Sequence, residues 1–95
     1  MLAVIEIKAS ERAKRRLSLG EVSRDIHKLC AHREEAQFLG YDFDPVMVVV
    51  DSARDKAERM TQWSLSGVRE LSRRLGVEWR YISPKEIQVD RPPIA

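Results

Sequence analysis

Apolar and polar positions along the chain fall into five stretches that alternate between strand and helix period. Residues 2–8 are too few for a buried helix and carry the β-branched side chains of Val4, Ile5 and Ile7, so they predict a strand. Side chains alternate across a strand, which puts Leu2, Val4, Glu6 and Lys8 on one face and Ala3, Ile5 and Ile7 on the other. The first face turns from apolar to charged as the strand leaves the core. The second stays apolar and calls for a cover. After a polar connection over 9–17, Ser18 and Glu21 stand where a capping box would satisfy first-turn amides, with Leu17 and Val22 in staple positions. Val22, Ile26, Leu29, Cys30 and Arg33 then follow helical spacing, and Gly40 is a terminator just beyond.

Asp42 to Pro45 reads as a turn, and residues 45–50 are apolar on both faces, the pattern of a central strand covered on both sides. Asp51 ends that strand. A second helix is predicted over roughly 53–75, with Ser52 as N-cap and Asp55 in its first turn. Its stripe is Ala57, Met60, Ser64, Val68, Leu71 and Leu75, and Gly76 stops it. Residues 77–82 alternate as a third strand, ended by Pro84. Strands joined through helices favour parallel pairing by right-handed crossovers. The expected fold class is therefore α/β: a three-stranded, mostly parallel sheet in β-α-β-α-β order with helices packed on it. One domain is expected over 1–84, followed by a loosely ordered tail over 85–95 that contains Pro92 and Pro93.

Composition narrows this picture only slightly. A length of 95 residues suits one domain, and 43% hydrophobic with 34% charged residues suits a folded, highly charged globule. A net charge of +2 does not by itself call for nucleic acid. Cys30 is the single cysteine, which excludes an internal disulfide and a cysteine-built zinc cluster and fits a reducing cytoplasm, the expected location. The apolar start meets Glu6 too soon for a signal peptide, and the run at 46–50 is far too short to cross a bilayer, so no membrane partner is expected.

The candidate chemistry lies in Glu6-Ile7-Lys8. Two residues apart on a strand, a carboxylate and an ammonium converge on one spot at the rim of the sheet. Glu6 could help hold Mg²⁺, a hard ion that prefers oxygen ligands, and Lys8 could orient an attacking water or stabilise charge on a phosphate. In parallel sheets ligands gather at the carboxyl ends of strands, where Glu6, Lys8, Asp51 and Ser83 fall. Read alone, the triplet is also compatible with two solvated side chains at a strand exit.

Val4-Ile5-Glu6-Ile7-Lys8 resembles the E-x-K element of the PD-(D/E)xK nuclease superfamily. The order that follows, a long helix from Ser18 to Leu39 and then a very apolar strand ending at Asp51, is similar to that family's order, over roughly residues 2–51. The resemblance implies a nuclease-type module that hydrolyses DNA phosphodiesters with Mg²⁺ or Mn²⁺, Glu6 ligating the metal and Lys8 serving the attacking water. The family's metal-binding Asp lies on a preceding strand, for which the residues before Glu6 offer no counterpart. The site and the sheet are therefore expected to need a partner chain, a second copy or an upstream segment, or Asp51 acting as the further metal ligand. Arg12, Lys14, Arg15 and Arg16 cluster in the loop after the motif, where they would contact DNA phosphates or simply be solvated.

Other residues read more plainly. Asp25 and Lys28 form a surface pair or a group supporting the site, and Arg69, Arg73 and Arg74 a helix surface. His27 and His32 sit about 140° apart around a helix and cannot chelate one ion. Cys30 belongs to the apolar stripe, and Trp63, Trp79 and Tyr81 to packing, with part of the aromatic surface left open if the sheet is incomplete. The alternative function is a non-catalytic assembly domain that oligomerises through an open sheet edge.

Overall fold

The computed structural model describes residues 3–10 and 16–92. Its elements are β1 (Ala3–Ala9), α1 (Leu19–Phe38), β2 (Asp44–Val50), a short 3₁₀ turn (Lys56–Glu58), α2 (Gln62–Arg74), β3 (Glu78–Ile82) and β4 (Ile87–Asp90). The α/β class and the parallel β1-β2-β3 core are as the pattern predicts. The sheet, however, has four strands in the order β1-β2-β3-β4 and is mixed, because β4 pairs antiparallel with β3.

The fourth strand follows a tight hairpin. The Ser83 N–H donates to the Glu86 carbonyl at 2.9 Å, and the Ser83 hydroxyl accepts from the amides of Lys85 and Glu86. Ile82 then pairs with Ile87 and Tyr81 with Gln88. Four of the residues expected as a loose tail are thus in the sheet, and a two-pronged ion pair from Arg73 to Asp90 ties their strand to α2.

Local signals fix α1 as its sequence requires. The Ser18 hydroxyl accepts from the Glu21 amide at 3.1 Å, a cap worth about 1 kcal/mol. Leu17 and Val22 are both buried at its start. At the far end Gly40 takes φ +88°, its amide donating to the Gln37 carbonyl and that of Tyr41 to Ala36. That pairing is a Schellman ending, which needs a left-handed residue. Gly76 repeats it after α2, with φ +71° and bonds from Gly76 to Arg73 and from Val77 to Ser72.

The helix expected over 53–75 is shorter than its apolar period suggests. Asp55 caps the 3₁₀ turn by accepting from the Ala57 amide, and Thr61 caps α2 by accepting from Ser64. Between them, the Met60 amide is captured by the Asp51 carboxylate at 2.8 Å. These caps break the helical ladder twice, so 51–61 folds as a connection over the carboxyl end of β2.

Both crossovers run the same way across the sheet, and α1 and α2 pack on each other as well as on the strands. Crossovers of one hand taken in one direction put both helices on one face. The core lies there: Val22, Ile26, Leu29, Leu65 and Val68 from the helices meet Met47, Val49, Trp79 and Tyr81. Trp79 and Tyr81 stack with centroids 6.2 Å apart. The opposite face has no helix among the described residues. The expectation that Ile5 and Ile7 are covered is corrected here: Ile5 is 56% and Ile7 64% exposed, whereas Val46 on the same face of β2 is buried. No described helix is long and apolar enough to cross a membrane.

Candidate functional site

The pleat of β1 turns Glu6 and Lys8 to the helix-covered face, where both are half-buried while Ala3, Ile5, Ile7 and Ala9 are exposed. A pocket of about 480 Å³ opens there between the end of β1 and the first half of α1. Glu6, Lys8, Ser10, Arg16, Glu21, Asp25 and Lys28 line it. α1 supplies the opposite wall because its cap at Ser18 starts the helix beside the strand, so that Glu21, Asp25 and Lys28 recur at three- and four-residue steps on the side facing β1.

Asp25 is the notable member. It is only 8% exposed, although charged, and its Oδ2 lies 3.6 Å from the Lys8 Nζ. A buried carboxylate needs a partner, and the Lys8 ammonium is that partner. The pair fixes the direction of the Lys8 side chain and joins strand to helix across the pocket. Ser10 extends the strand's last bond to the Val50 carbonyl, and its hydroxyl accepts from the Ser52 amide at 3.2 Å. Arg16 donates through Nε and a second guanidinium nitrogen to the Ala57 carbonyl, which anchors the end of the basic loop to the 3₁₀ turn.

The structure therefore brings Glu6 and Lys8 together and adds Arg16 to the rim. Arg12, Lys14 and Arg15 lie outside the described residues. Asp51 is not brought to Glu6. It is fully buried, does not line this pocket, and its Oδ2 accepts from the Tyr81 hydroxyl and the Met60 amide, each at 2.8 Å. Burial, then the bond to Asp51, push the Tyr81 phenol well above its ordinary value. Asp51 thus joins β2, β3 and the connection into α2.

A hard cation such as Mg²⁺ keeps several waters and takes one or two protein carboxylates plus substrate phosphate. Glu6 in a polar pocket with Asp25 nearby fits that mode of binding. A full protein cage is not offered: no group of three or more acidic, histidine or cysteine side chains suited to a metal occurs among the described residues.

The remaining candidates are plain. His27 and His32 are exposed on α1. Cys30 packs against the core, and burial pushes its thiol up, with Glu34 adding to the effect and Arg33 opposing it. Trp79 and Tyr81 are core, whereas Trp63 is exposed. The residue that sequence reasoning missed is Arg59, buried beside Asp51's connection. Its only signal was position, immediately before the Met-Thr that starts α2, and a continuous helical reading conceals it. No protein-family model matches the chain, and neither a curated protein nor a solved structure proved similar to it.

Proposed function

We propose that this chain is a nuclease-type module, akin to PD-(D/E)xK enzymes from their E-x-K strand onward, that takes part in metal-dependent hydrolysis of DNA phosphodiesters. The observation that carries the reading is the shared pocket of Glu6 and Lys8, with Lys8 held by Asp25. A Mg²⁺ or Mn²⁺ ion bound through Glu6 would supply Lewis-acid charge at the scissile phosphate. Lys8 would direct the attacking water and offset charge on the phosphoryl oxygens as the water oxygen bonds to phosphorus and the leaving oxygen departs. Asp25 acts through Lys8 and is a positioning residue. Arg16, with the basic loop before it, would hold neighbouring phosphates. A further carboxylate would come from another chain or from sequence preceding this segment.

The test separates metal binding from cleavage. Mn²⁺ titration of the wild-type chain and of Glu6→Gln, followed by electron paramagnetic resonance, should show bound ion lost in the variant. Cleavage of plasmid and of labelled single- and double-stranded DNA should need the metal and fall in Glu6→Gln and Lys8→Ala. Equal Mn²⁺ binding by wild type and Glu6→Gln would refute the reading.

A second reading, a non-catalytic assembly domain, is favoured by one observation. β1 is an edge strand with no neighbour on its outer side among the described residues, and its exposed face carries Ile5 and Ile7. Such an edge can pair with another chain. Under that reading Glu6→Gln leaves every activity and metal affinity unchanged, and sedimentation shows a concentration-dependent oligomer.

A further inference from the structure

Arg59 is 8% exposed, yet its Nε has no acceptor. Leaving a buried guanidinium N–H unpaired is costly, and such groups ordinarily have a partner. The backbone on either side is fixed. The Arg59 amide donates to the Lys56 carbonyl at 3.2 Å, and the Met60 amide is held by Asp51. The side chain lines a pocket of about 530 Å³ at the carboxyl end of β3, between the 3₁₀ turn, the start of α2 and the β3–β4 turn.

Arg54, Lys56 and Lys85 line the same pocket, giving four cations against the two carboxylates of Asp55 and Glu86. Asp55 is already engaged in capping the Ala57 amide. Gln62, the first residue of the 13-residue α2, also lines it, so the start of that helix, where the dipole is positive, borders the same space. A buried guanidinium whose Nε–H is unpaired, among surplus cations at a helix start, suits an oxyanion, and its fork suits a phosphate in particular.

This pocket is also linked to the Glu6–Lys8 site. Arg16 lines that site and a neighbouring cleft whose other walls include Lys56, Arg59 and Gln62. The cleft thus shares Arg16 with the first pocket and Lys56, Arg59 and Gln62 with the second.

We propose that the Arg59 pocket binds a phosphate group, and that in a bound nucleic-acid strand this is a phosphodiester further along the chain from the one at Glu6 and Lys8. The second half rests on the function proposed above; the first does not. Arg59 is the buried donor, Gln62 offers a helix-start amide, and Lys85 adds exposed charge from the hairpin turn.

The full chain, labelled with ¹⁵N, is titrated with inorganic pyrophosphate at constant ionic strength, reading the Arg59 Nε–H and Gln62 amide signals. Both should move saturably. Lys85→Gln, an exposed position that does not threaten folding, should weaken binding about threefold, and Arg59→Lys, which keeps charge but loses the fork, about tenfold. No movement at Arg59, or affinity unchanged in Lys85→Gln and in a folded Arg59→Lys, would overturn the assignment. A second arm uses a single-stranded DNA oligonucleotide without terminal phosphates. Movement of the same two signals supports the phosphodiester. Movement with pyrophosphate alone overturns the second half and assigns the pocket to free or terminal phosphate. Because phosphate binding is read separately from metal binding and cleavage, a responsive Arg59 together with equal Mn²⁺ binding by wild type and Glu6→Gln would refute the nuclease reading while leaving the phosphate assignment standing.

Discussion

Replacing Tyr81 by Phe removes one hydroxyl from a buried side chain of β3 and changes little else. The hydroxyl lies 2.8 Å from the Asp51 Oδ2 in a buried setting, and Tyr81 itself is 2% exposed. A hydrogen bond to a charged group contributes about 1.5–3 kcal/mol, and its loss leaves the buried carboxylate with the Met60 amide as its remaining donor. We expect a loss of about 2 kcal/mol, which for a chain of this size lowers Tm by roughly 8–16 °C. Urea denaturation gives the free energy, and the m-value should not change. A double-mutant cycle with Asp51→Asn should return a coupling of about 1–2 kcal/mol, since the two groups touch. Linkage adds an independent check. The phenol's folded value is raised above its ordinary 10.0, so the stability it contributes is complete below pH 10 and is lost as pH rises through the folded value. Ultraviolet titration curves of wild type and Tyr81→Phe should therefore coincide until the chain unfolds. A loss under about 0.5 kcal/mol, or additive single mutants, would refute the view of Asp51 as a structural junction.

Two further outcomes follow from the layering and the loop at 42. Met47→Ala, at a fully buried site on the helix-covered face, should cost about 2–5 kcal/mol, whereas Ile7→Ser on the face without a helix should cost under about 1 kcal/mol; equal losses in thermal denaturation would mean that the second face is packed. Asp42 accepts from Arg33 Nε at 3.1 Å, and this bond chiefly lowers its carboxyl below the ordinary 3.8. A depressed value gives stability present above the unfolded value and lost as pH falls through the folded one. The difference between wild type and Arg33→Gln should be present at neutral pH and vanish in acid; a difference that persists at pH 2 would contradict it.

Much of the fold is legible in the sequence where the signal is local. Ser18 with Glu21, and Gly40 and Gly76 at the helix ends, specify their bonds through chemistry within a few residues. The apolar period over 53–75 misleads because the break depends on Asp51 reaching nine residues along the chain to the Met60 amide, a bond that periodicity does not encode. β4 was present as the alternation Ile87-Gln88-Val89-Asp90 after a Ser-Pro turn, but four residues next to two prolines carry little weight without the β3 edge to receive them. Which face of β1 is covered follows from the shared direction of two crossovers, a property of the whole sheet. At the site, the Glu6 and Lys8 pairing is direct from strand alternation. The role of Asp25 needs the helix to be placed against the strand, and the burial of Arg59 needs the connection to be folded over β2.

The position of β1 has a mechanical consequence. It is bonded to one neighbour only, β2, and its outer face meets no helix. Elements with few buried contacts sample open states most readily. Glu6 and Lys8 ride on this strand together, about 7 Å apart along it by strand geometry, so any rocking of β1 carries both as one stiff jaw. The other jaw is α1, clamped to the core by Val22, Ile26 and Leu29. The width of the mouth between them is then governed by a single ladder on one side and by the Lys8–Asp25 tether across the gap. A chain that adds a strand to the free edge of β1 would stiffen the moving jaw without touching a residue inside the mouth.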